Sequence, residues 1–162
     1  MSSYVLSAAG SSNPTLKLTA VDATGTAVTG DTGLEIDYLQ NITVNNAQDI
    51  FTWTQLNQAA KLSVPSTATN SLSTTIVVDV DSFFGTTDNA SVGDTAAEQG
   101  LLQMSRNKQR VKFEVNIGDT ATTGKTISGF GYVTGLSPTV SSDSPVWTTP
   151  MTITADSDYT VA

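Results

Sequence analysis

The chain has 162 residues, a formal net charge of −8 from 15 acids and 7 bases, and neither Cys nor His. Lack of Cys excludes a disulfide framework and thiolate metal sites, and lack of His removes the commonest general base and metal ligand. Thr supplies 27 residues and Ser 18, against only 14% charged residues, so hydroxyls carry the polarity, and β-branched Thr favours half-exposed strands.

Residues 1–13 are small and polar and read as an N-terminal arm without a basic region or long apolar core, unlike a secretory signal. A first strand is expected over Thr15–Val21, followed by turns at Gly25 and Gly30. The next runs through Leu34–Leu39 toward Val44, until Asn45, Asn46 and Asp49 break the pattern. Ile50-Phe51-Thr52-Trp53-Thr54 is short, aromatic and β-prone, and leads into a less regular stretch ending near Pro65 and Asn70.

Leu72–Val80 reads as a central strand, with Ile76, Val78 and Val80 on one face and Thr75, Val77 and Asp79 on the other. A loop to Gly93 precedes one helix over about 94–106. Thr95 followed by Glu98 is a capping box, and Ala97, Leu101 and Met104 form one apolar stripe. Gly100 either weakens that helix or admits another backbone. Val111, Phe113, Val115 and Ile117 then alternate with Lys112, Glu114 and Asn116, one face core and the other wet. The final strands cover Lys125–Thr134 and Val146–Thr154. The whole reads as one domain, 1–162, mainly β, with the architecture of a β-sandwich or partial barrel and one flanking helix.

Few groups here suit chemistry. Gly118–Thr126 imitates a phosphate loop, but five residues separate its glycines where four are needed, and a strand follows instead of a helix; it reads as a hairpin loop. Acid pairs two apart occur at Glu35/Asp37, Asp79/Asp81 and Asp156/Asp158. On strands each pair shares a face, which fits a solvated surface, a cation site, a pair of catalytic acids or a lining that repels phosphate. The cluster Arg106, Lys108, Arg110 and Lys112 straddles a helix end, where cations meet the macrodipole. It suits a helix cap and a surface that meets acids on a neighbouring copy better than a grip on nucleic acid, and the acidic remainder disfavours tight binding to nucleic acid or anionic membrane. Trp53 and Trp147 read as core or subunit-contact residues. No catalytic residue, cofactor or metal site is assigned.

The ordered set Trp53-Thr54-Gln55-Leu56, the strand Leu72–Asp81, Gly93-Asp94 opening a helix through Gly100-Leu101-Leu102, Val111–Val115, Ser128–Thr134 and Ser144-Pro145-Val146 resembles the major tail tube proteins of long-tailed bacteriophages. The resemblance spans roughly Phe51 to Thr154. It implies a virion protein, assembled in the host cytoplasm, whose copies form stacked six-membered rings with sheet strands lining an acidic lumen. DNA passes through without specific binding, and a tape measure and a tail terminator are the implied partners. By position, about 44–71 would be the loop reaching the adjacent ring, including Asp49, Phe51 and Trp53. Candidate lumen residues are Asp79, Asp81, Lys112 and Glu114; Arg106, Lys108 and Arg110 are candidate contacts between subunits. The rival readings are a capsid decoration or adhesin-like β-domain, and a carbohydrate-binding module or carboxylate glycosidase. The latter class needs an aromatic platform that 7% aromatic content poorly supplies.

Overall fold

Alternating apolar and β-branched residues build most of the protein into antiparallel sheet. The computed structural model describes residues 15–56, 60–66, 69–117 and 124–162. The expected arm at 1–13 and the hairpin loop at 118–123 lie outside these. In chain order the strands are β1 (Thr15–Ala20), β2 (Leu34–Ile36), β3 (Leu39–Asn45), β4 (Asp49–Trp53), β5 (Leu62–Ser66), β6 (Ser71–Val77), β7 (Arg110–Ile117), β8 (Lys125–Thr134), β9 (Thr148–Ala155) and β10 (Thr160–Val161). Two helices, α1 (Val80–Phe84) and α2 (Ala96–Asn107), lie between β6 and β7.

The main sheet runs β2-β1-β7-β8-β9-β6-β3, with β10 added beside β8, while β4 and β5 pair only with each other. The single strand expected from Leu34 toward Val44 is therefore two strands on opposite edges. Only Asp37 and Tyr38 separate Ile36 from Leu39. Seven strands laid flat would hold their edges about 29 Å apart, whereas three Cα steps span at most about 11 Å. The sheet is consequently rolled so that the Ile36 end of one edge comes close to the Leu39 end of the other, although β2 and β3 do not pair with each other.

Inside the roll, Leu16, Leu18, Val111, Phe113, Leu72, Ile76, Met151 and Ile153 are fully or almost fully buried in one cluster. Ala96, Leu101 and Met104 of α2 and Phe83 of α1 join the same cluster. Strict alternation along β1, β6 and β7 sends every second residue there.

Helix α2 carries the expected capping box: Thr95 Oγ1 accepts from the Glu98 N–H, and the Glu98 carboxylate accepts from the Thr95 N–H. The expected apolar stripe is altered. Gly100 has φ 63° and ψ 174°, so the helix is broken there and its phase resets. Ala96 is buried in place of the half-buried Ala97, and the amides of Gln99 and Gln103 turn inward.

The central strand also ends earlier than its hydropathy indicates. β6 stops at Val77, Asp79 caps α1 by accepting from the Ser82 N–H at 3.1 Å, and Asp81 sits in the first turn. Asp79 and Asp81 are therefore not neighbours on a sheet face. Asp is a poor strand residue and a strong N-cap, so capping prevails over the apolar run.

Candidate assembly surface

The side of the rolled sheet away from the core is a broad polar surface. Its first half carries charges in register: Glu35 opposite Lys17, Lys17 opposite Glu114, and Thr19 opposite Lys112. Lys112 Nζ and the Glu114 carboxylate form an ion pair at 3.2 Å along β7. The second half is almost without charge. Thr134, Thr152, Ser73 and Thr43 stand in one cross-strand row, and Tyr132, Thr154, Ser71 and Asn45 in the next. Strand alternation places Lys112 and Glu114 on this wet face, as their sequence pattern indicates.

Arg110 is held within its own chain. Its guanidinium makes two bonds to Asp156, Nε at 2.6 Å and one terminal nitrogen at 3.1 Å, and lies 4.6 Å from the centre of the Phe130 ring. The Asp156 carboxylate raises the guanidinium pKa above its ordinary range. This clamp joins β7 to the turn where the edge beside β8 passes from β9 to β10, and it commits the side chain of a residue expected to meet a neighbouring copy. It also splits the expected pair Asp156/Asp158. Glu35, Glu114 and Asp156 thus offset Lys17, Lys112 and Arg110 on or against this face. Local charge balance, rather than an excess of acid, marks it among the described residues.

Arg106 and Lys108 are exposed at the end of α2. Lys108 adopts φ 54° and ψ 41°, and its N–H closes the helix onto Met104 and Ser105 carbonyls. Arg106 borders a shallow cavity of about 230 Å³ with Phe84, Asp88 and Leu102.

Sequence reasoning leaves the 85–95 loop without support, and buried amides provide it. Gln103 Nε2 donates to the Phe84 and Thr87 carbonyls, and Asn107 Nδ2 donates to the Ala90 carbonyl. Gln109 accepts from the Gly93 N–H and donates to the Val21 carbonyl. Asp31 ties the other side: its carboxylate accepts from the N–H groups of Ala20, Gly33 and Ala96. It adds an anion at the N-terminus of α2, where the dipole favours one.

Asp49, Phe51 and Trp53 lie on β4. The stretch expected to be irregular after Trp53 instead supplies β5, which pairs Trp53 with Leu62 and Asp49 with Ser66. Phe51 and Trp53 stack with ring centres 5.9 Å apart, while Ile50 and Phe51 remain 65% and 60% exposed. Among the described residues, none of this hairpin belongs to the buried cluster. Its base is anchored by Tyr159, whose hydroxyl reaches the Asn45 and Ser71 carbonyls at 2.8 and 2.9 Å. Around that base an open cavity of about 690 Å³ is lined by Asn46, Gln48, Asn70, Asp156 and Asp158.

The overall fold recurs in solved assemblies. A chain of the six-fold symmetrised anti-feeding prophage baseplate matches all of this chain and 97% of its own length, with 11% identity and a TM-score of 0.59. The fold is tail-tube-like. A chain from the tail of an empty gene transfer agent particle, computed with C6 symmetry, is 14% identical over 91% of this chain and 93% of its own, with a TM-score of 0.56. A third comes from the extended sheath–tube complex of an extracellular contractile injection system, at 11% identity, 91% and 87% coverage and a TM-score of 0.52. No protein-family model and no curated protein matches the sequence. Identities this low establish the tail-tube-like architecture alone.

Proposed function

We propose that the chain is a non-enzymatic structural subunit of a phage-like tail, joining copies of itself into six-membered rings that stack into a hollow tube. The observation that carries this reading is a rolled sheet shared over at least nine tenths of the chain with components of six-fold tails. Around a closed ring, each subunit presents two different side surfaces, and stacking then grows until something ends it. A tail terminator is the expected stop, and a tape measure the expected occupant during assembly.

In this reading the wet sheet face, with Lys112 and Glu114, lines the lumen. Its hydroxyls and balanced charges give DNA no cationic grip, so the duplex slides without residence. Asp79, which caps α1, and Asp81, in its first turn, do not lie on this strand face and are not assigned to the lumen in this reading. The β4–β5 hairpin, with Asp49, Phe51 and Trp53, reaches the adjacent ring, while Arg106 and Lys108 meet acids on a lateral neighbour.

Sedimentation velocity of the purified protein over rising concentration tests the proposal. Rings or longer polymers are expected to replace the 16.9 kDa species. A single monomeric boundary throughout would overturn it.

A further inference from the structure

The geometry points to a specific seat for the hairpin: its tip docks on the Tyr38–Val80–Trp147 end of the next copy, with Lys61 set against Asp37 and Asp81. The inference rests on the stacked-ring reading and adds the receiving surface.

Two apolar surfaces lie at opposite ends of the same strands. β3 runs from Leu39 to Asn45 and β6 returns from Ser71 to Val77, so the chain leaves the sheet for the hairpin at the Asn45/Ser71 end. At the other end, the Val77 N–H donates to the Tyr38 carbonyl and the Val78 N–H to the Trp147 carbonyl. Seven strand residues separate the two ends by about 20 Å. Tyr38, Val80 and Trp147 are 56%, 69% and 52% exposed, a concentration of large apolar groups that marks an interaction site. The hairpin is the matching element, because a lone two-stranded ribbon is marginal in water and gains stability by covering its face.

Charge selects the partner. The hairpin carries one base, Lys61, directly before Leu62 near the tip, and its acid, Asp49, sits at the root opposite Ser66. The receiving end has the reverse character: Asp37 adjoins Tyr38 and Asp81 adjoins Val80, both exposed. No Lys or Arg occurs in 32–60, 62–105 or 126–162; the base on the helix packed against α1 is Arg106, which borders Phe84 at the far end of α1 from Val80 and Asp81. A hairpin whose far end carries Lys61 and the exposed Leu56 therefore meets an acid-rimmed apolar seat. Because tip and seat occupy opposite ends of one molecule, the contact is head-to-tail and propagates along the strand direction.

The absence of native Cys permits a clean test. Lys61→Cys combined with Asp81→Cys, treated with a short bis-maleimide after assembly, is expected to give a ladder of covalent multimers, while each single variant stops at dimers. In parallel, Lys61→Asp should raise the concentration needed for polymer growth about tenfold, and adding Asp81→Lys in the same chain should restore it. Polymers that form without a ladder, or a Lys61→Asp chain that grows normally, would overturn this seat while leaving stacked rings intact. A wild-type chain that never assembles would remove both.

Discussion

Gly85 and Gly100 touch backbone to backbone. A Cβ built on Gly100 would lie 2.2 Å from the Gly85 nitrogen, and one on Gly85 would lie 2.2 Å from the Glu98 carbonyl oxygen. The break at Gly100 frees the Ala97 and Glu98 carbonyls, which accept from Thr86 and Thr87 N–H groups. The two glycines thus let the end of α1 lie directly against the broken helix. Gly100→Ala places a side chain in a backbone region that is essentially glycine-only, and against another backbone. A loss of about 3 kcal/mol or more is expected in chemical denaturation. A cost under 1 kcal/mol would mean that the crossing is loose.

Asp31→Ala tests the second tie. It removes the acceptor of three N–H groups from three parts of the chain. Unpaired partly buried donors on this scale cost about 3 kcal/mol, and hydrogen exchange should rise first at Ala20, Gly33 and Ala96. Unchanged protection at Ala96 would show that α2 is held by its capping box alone.

Tyr159 links the hairpin base to pH. Burial raises its hydroxyl pKa above the ordinary value of 10.0. A group with a raised folded pKa contributes stability that is complete below the unfolded value and lost as pH rises through the folded one. The protein should therefore weaken above about pH 10, as the unfolded state ionises first. Tyr159→Phe should remove that part of the alkaline loss and cost about 1 kcal/mol at neutral pH. Stability of the Phe variant that falls equally steeply above pH 10 would contradict this assignment.

Much of the sheet is legible in the sequence because alternation is local: β1, β7 and the wet positions of Lys112 and Glu114 follow from period two alone. The capping box is equally local. The division of 34–45 into two edges is not, because Asp37 and Tyr38 interrupt the strand without Gly or Pro, and only closure of the sheet assigns the halves different partners. Ending β6 at Val77 required weighing an Asp cap against a continuing Val run. The inward amides Gln99, Gln103 and Gln109 are not legible because their partners are backbone carbonyls and N–H groups of the chain before α2 and after β1, together with one another and Asn107, which composition does not reveal. β5, with Pro65 and three hydroxyl residues nearby, pairs only with β4, so no burial pattern announces it.

The wet face supplies a functional test. Ser73→Lys with Thr152→Lys, neighbours across β6 and β9, places two cations among hydroxyls without disturbing the core. Assembly should persist, and DNA release from particles carrying these subunits should slow in proportion to lower salt. Normal release at low ionic strength would mean that this face does not line the DNA path.

The most direct measurement is cryo-electron microscopy of the purified chain at high concentration. Closed six-membered rings, stacked about an open axis with the Thr- and Ser-coated face turned inward, are the expected result. Solitary particles at every concentration, or a filament whose axis is filled by the sheet core, would contradict the account.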